Sequence, residues 1–127
     1  MLLCAGHFHV MAQMTIDELV SAICRTSPDA VVQGLAQLLV EWKRSPANVN
    51  ELRLQVDRYV GNSWIADDSV HAIVHGMWSA FCKTAIEGIS GMTMNERLFH
   101  FGLLEEFDNA DTSQAKEGIY AKLLAAP

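Results

Sequence analysis

Apolar positions recur along this chain at helical spacing, in blocks bounded by cap and turn residues. Ile16, Leu19, Val20 and Ile23 fall on one face of a first block, with Asp17, Ser21 and Arg25 opposite. Thr15 and Glu18 before and within it form the Ser/Thr-x-x-Glu pattern in which each side chain satisfies a first-turn amide of the other's backbone. The next block runs from Asp29 to Arg44. Val31, Leu35, Leu38, Leu39 and Trp42 make its apolar stripe, and Gln33, Gln37, Glu41 and Arg44 line the other side. Ser27-Pro28 predicts its start, because proline at the first helical position loses no hydrogen bond. Ser45-Pro46 predicts its end.

A third helix is predicted over 50–60, burying Leu52, Val56 and Tyr59, with Gly61 placed for a left-handed C-terminal residue. Asp67 or Asp68 caps a long fourth helix reaching about Ile89. Val70, Val74, Met77, Trp78, Phe81 and Ala85 form its core side, and Gly88 and Gly91 close it. A fifth helix is predicted over 94–109, opened by the capping pair Thr93 and Glu96. It is apolar on two sides. Leu98 and Phe101 point one way with Leu104 at that edge, while Phe99, Leu103 and Phe107 form a second stripe. A helix apolar on two faces needs cover on both, from its own neighbours or from another protein or a second copy. A last helix follows Asp111-Thr112-Ser113 and packs through Ile119, Tyr120, Leu123 and Leu124. Gly34, Gly76, Gly102 and Gly118 fall inside predicted helices, where close crossings would account for some of them.

No stretch alternates as a strand does, and no internal repeat appears. The expected fold is all-α, a single-domain irregular bundle of five or six helices. A chain of 127 residues is one domain in length. Its boundaries are read as a leader or N-terminal extension over 1–13 and a helical domain over 14–127. The leader lacks a basic segment and is short for a signal peptide.

Charge narrows the partners. Fifteen acids against nine bases give a net charge of -6, which disfavours nucleic acid, because phosphate contacts need clustered Lys and Arg. The chain also lacks the long uncharged run of a membrane span. Three cysteines, Cys4, Cys24 and Cys82, are an odd number without a C-x-x-C pair, which points to a reducing cytoplasm rather than a disulfide framework.

Catalytic signatures are absent: there is no nucleophile elbow, phosphate loop or dinucleotide turn. Histidines are the exception worth weighing. His71 and His75 are four apart on the fourth helix near the edge that carries Cys82, and Glu96 and His100 repeat that spacing on the fifth. Such ligands from adjacent helices could hold a transition metal, yet neither H-E-x-x-H nor E-x-x-H occurs, and histidines flanking an apolar stripe are more often packing residues. No cofactor and no metal are therefore expected. A thiol beside Trp78 and Phe81 reads as a small core residue.

The remaining feature is acidic. Glu105, Glu106, Asp108 and Asp111 gather where the fifth helix ends, and carboxylates at a helix C-terminus oppose its dipole. A solvated turn is one reading. The other is a docking surface made by Phe99, Leu103, Glu105, Glu106, Phe107, Asp108 and Asp111, steered toward a basic protein by clustered charge or serving self-association. The expected function is that of a small acidic cytoplasmic binding protein of the inhibitor, immunity or adaptor type, without catalysis. Two alternatives are metal binding through His71 and His75, and a small-ligand pocket between the fourth and fifth helices near Trp78 and Phe101.

Overall fold

Thr15 caps a helix as the sequence predicts: its hydroxyl accepts from the Glu18 amide at 3.2 Å and the Glu18 carboxylate accepts from the Thr15 amide at 2.9 Å. The computed structural model describes residues 14–63 and 65–126. The reading of 1–13 as a leader, with Cys4, lies outside the described residues. Within them the chain forms seven α-helices and no strand. These are α1 (Ile16–Thr26), α2 (Ala30–Arg44), α3 (Val49–Asn62), α4 (Asp68–Phe81), α5 (Met94–His100), α6 (Leu104–Asp108) and α7 (Ser113–Lys122). The all-α bundle is as expected, with breaks where two long helices were predicted. No helix among the described residues is long and apolar enough to cross a membrane.

α1 packs most extensively on α2 and next on α4. Ile16, Leu19 and Ile23 of α1 are fully buried, and α2 meets them with Val32, Leu35, Ala36, Leu39 and Trp42. That stripe keeps Leu35, Leu39 and Trp42 of the expected one, with Val32 and Ala36 buried where Val31 and Leu38 were expected; both of these are half-buried. α2 begins at Ala30 with Asp29 as its cap, accepting from the Val31 amide at 2.8 Å. Ser27 instead ends α1, and its hydroxyl accepts from the Asp29 amide.

α3 carries a capping box that the sequence reading did not pick out, between Asn48 and Glu51. Leu52 and Val56 are buried as expected. Gly61 is not a left-handed cap. The helix runs through it to Asn62, and the positive-φ glycine of the described chain is Gly102. Gly34 does mark a close crossing: the Tyr59 hydroxyl lies where a Cβ would stand and donates to the Val31 carbonyl at 2.7 Å. Gly34→Ala gains about 1 kcal/mol in helix propensity but displaces the ring and its hydrogen bond. A net loss of about 1–2 kcal/mol in denaturant unfolding is the expected result.

Asp67 caps α4 by accepting from the amides of Ser69 and Val70. The predicted run to Ile89 stops being α-helical at Phe81. A π turn over Cys82–Ile86 follows, closed by the Glu87 amide donating to the Cys82 carbonyl at 2.8 Å, then a 3-10 turn over Ile89–Gly91. Val74, Met77, Trp78, Phe81 and Ala85 nonetheless stay buried.

The predicted fifth helix is two helices. Leu98, Phe101 and Leu103 are all buried, but positions 101 and 103 stand about 200° apart on a continuous helix. The chain resolves this at Gly102, with φ 65°. The Gly102 amide donates to the Phe99 carbonyl at 3.2 Å and the Leu103 amide to the Leu98 carbonyl at 2.9 Å. This is a Schellman ending, with buried leucines, Leu98 and Leu103, at the two positions the motif favours for apolar residues. A Cβ at Gly102 would meet Asp17 Oδ2 at 2.7 Å, so the Lys43–Asp17 ion pair of α1 and α2 seats against the break.

α7 is capped by the Thr112 hydroxyl at the Ala115 amide, and it ends in the same motif with Leu124 at φ 57°. Leu123 is buried, whereas Leu124, expected to pack, is 40% exposed. Lys122 is the unexpected core member. It is 6% exposed, its Nζ lies 3.9 Å from the Trp42 ring centroid, and it donates to the carbonyls of Trp42, Ser45 and Ala47. A cation at the carbonyl end of α2 complements the dipole there.

Candidate functional site

The break at Gly102 reorganises the predicted docking stripe. Leu103 turns into the core at 1% exposure, while Phe99 on α5 stands 55% exposed. Phe107 is half-buried, edge-on to Tyr120 with centroids 5.7 Å apart, and Lys116 Nζ lies 5.2 Å from its ring. Its packing therefore ties α6 to α7. Leu104, 40% exposed, supplies apolar surface in its place. Phe99, Leu103 and Phe107 do not form one continuous stripe.

The acidic residues change meaning as well. Because a new helix begins at Leu104, Glu105 and Glu106 occupy its first turn, where a carboxylate is favoured by the dipole rather than opposed. Asp108 alone sits at the C-terminal end of α6, and Asp111 precedes the cap of α7. All four are exposed. The ion pairs among the described residues are Lys43–Asp17 and Arg53–Glu87, each at 2.9 Å. None of the four acidic side chains belongs to either.

The histidines do not converge with their proposed co-ligands. His71 and His75 are exposed with rings stacked 6.2 Å apart. Glu96 is engaged as the capping partner of Thr93, whose backbone and hydroxyl hydrogen bonds hold its carboxyl below the ordinary value. His100 stands edge-on to Phe99, with a buried Nδ1 that has no partner among the described residues. Among the described residues no group of three or more His, Cys, Asp or Glu side chains is placed to hold a metal ion.

The alternative reading of a small-ligand pocket near Trp78 places it between the fourth and fifth helices, toward Phe101. Phe101 is instead fully buried, its ring against Trp42 and Phe81. The cleft that does reach Trp78, about 380 Å³ in volume, opens between α3 and α4. Arg53 and Asp57 line it from α3; His75, Trp78 and Ser79 come from α4; Cys82, Lys83 and Glu87 come from the π turn and its end. Asp57 Oδ1 accepts from the Trp78 indole N–H at 3.2 Å, and Arg53 bonds Glu87. Burial pushes the Cys82 thiol up to about 12, partly countered by Arg53 and reinforced by Asp57 and Glu87. It is therefore no thiolate at neutral pH.

Sequence reasoning missed Arg53, Asp57, Lys83 and Glu87 because each reads as an ordinary surface charge. A signal existed in their spacing: both are pairs of opposite charge at i, i+4, each on one helical face. Comparison with protein families, with curated proteins and with solved structures finds no match to this chain. The class of the molecule is thus set by its own geometry, an all-α bundle with an acidic, partly apolar C-terminal face and a polar cleft.

Proposed function

We propose that this chain is a binding protein of the inhibitor, immunity or adaptor type, without catalysis of its own, which engages a basic protein partner through the α5–α6 face. One observation carries the reading: Phe99 and Leu104 stand exposed on the adjoining helices α5 and α6, and the four carboxylates between 105 and 111 have no ion-pair partner among the described residues. Apolar area supplies affinity and clustered charge steers the encounter. A second copy of the chain would bring like charges together in a two-fold pairing, which favours a basic partner over self-association. The net charge of -6 and the free thiols of Cys24 and Cys82 suit a reducing cytoplasmic setting.

Asp108→Lys with Asp111→Lys tests this without unfolding the domain. Lysine is favoured at the end of α6 and mildly disfavoured before α7, so stability should stay within about 0.5 kcal/mol. A partner captured by the unaltered protein should bind about tenfold or more weakly to the double variant at low salt, and to Phe99→Ala as well. Capture of the same proteins in the same amounts by all three forms would overturn the proposal.

A further inference from the structure

We infer that the cleft between α3 and α4 is a second, separate site, which binds a small zwitterion of dipeptide size. Its lining holds two cations, Arg53 and Lys83, and two carboxylates, Asp57 and Glu87. Such a balanced lining repels neither end of a zwitterion but penalises a simple anion or cation.

The charges are also distributed along the cleft. Asp57 pairs across to Trp78, while Arg53, one helical turn earlier on α3, pairs across to Glu87 near Lys83. The step from Trp78 to Lys83 along the helix is roughly 7 Å at about 1.5 Å per residue. Two extended residues span about 7 Å, so a free dipeptide can place its ammonium at Asp57 and its carboxylate at Lys83. Asp57 uses one oxygen on the indole N–H, leaving the other for the ammonium. Arg53 gives Glu87 one of its five N–H donors, leaving others for the carboxylate. Neither Asp57 nor Lys83 has an ion-pair partner among the described residues. The indole of Trp78 forms part of the wall between them.

The π turn completes this arrangement. On a continued α-helix Glu87 would lie roughly 80° from Ser79, at about 100° per residue. The wider turn at Cys82–Ile86 brings Glu87 round to the wall that Ser79 and Lys83 share. Since Cys82 stays protonated, the cleft binds without covalent chemistry.

Calorimetric and amide-shift titrations with free Lys-Ala, Ala-Ala and Ala-Glu, each also in N-acetylated and C-amidated form, test the site. Free dipeptides should shift the amides around Asp57, Trp78 and Lys83, and blocking either terminus should weaken binding about tenfold or more. Asp57→Asn and Lys83→Met should each weaken free dipeptides to a similar degree while the melting temperature holds. Absence of cleft shifts up to roughly 10 mM, or equal binding of free and blocked forms, would overturn the inference. Because these residues lie off the α5–α6 face, either result leaves the partner-binding proposal untouched.

Discussion

Phe101→Ala is expected to remove about 3–5 kcal/mol of folding stability. The ring is fully buried where three helices meet, with centroids 5.6 Å from both Trp42 of α2 and Phe81 of α4. Truncation leaves a cavity that its neighbours cannot close, because Gly102 and Leu103 are fixed behind it by the Schellman ending of α5. A fall in melting temperature of more than roughly 10 °C should follow. Phe99→Ala, two residues earlier but 55% exposed, should change stability by less than about 0.5 kcal/mol. Equal losses for the two variants would show that the inward turn of Phe101 is misassigned.

Lys122→Met is the second large effect, with a loss of about 3 kcal/mol at pH 7. Methionine keeps the length of the side chain over Trp42 but cannot donate, so the carbonyls of Trp42, Ser45 and Ala47 lose their shared donor. Its pH dependence has a definite sign. Burial lowers the Lys122 ammonium from 10.5 to about 8, against a smaller upward pull from Glu51. Between those values the unfolded chain binds more protons than the folded one, so the lysine's contribution rises above its pH 7 level as pH climbs from about 8 to 10.5, and that gain disappears as pH falls back through 8. The stability difference between unaltered protein and Lys122→Met, followed by denaturant unfolding across that window, should widen accordingly. Taking the difference cancels the opposite trend from Cys82, whose raised value weakens the fold from about pH 9 upward in both proteins.

The starts of α1, α4 and α5 were legible in the sequence because capping is local. Thr15 with Glu18, Thr93 with Glu96, and Asp67 each need only residues two or three positions away. The end of α2 at Arg44, before Ser45-Pro46, was legible too, but the interruptions were not, because they answer to packing across the fold. A stripe of Leu98 and Phe101 opposed by Phe99, Leu103 and Phe107 looks like a helix covered on two sides. The chain instead breaks at Gly102 so that Leu98, Phe101 and Leu103 face one core. That same break moves Glu105 and Glu106 from a helix end to a helix beginning. The π turn after Phe81 has no sequence signature of its own, and the cleft beside it draws residues from α3 and α4 that are far apart in the chain. Nothing in the sequence marks Lys122 as a core residue. Only the fold reveals that it reaches the end of α2.

That reach also orders events as the chain is made. α1 and α2 are neighbours in sequence and can pack on one another early, since short loops close at little entropic cost. The ammonium shared by the Trp42, Ser45 and Ala47 carbonyls, however, arrives from 80 residues downstream of Trp42. Until α7 docks, the Trp42 carbonyl has the Ser45 amide and hydroxyl as its local donors but lacks the ammonium that joins it to Ser45 and Ala47. Arrival of that ammonium belongs to the closing step of folding, with the long-range contacts that limit its rate.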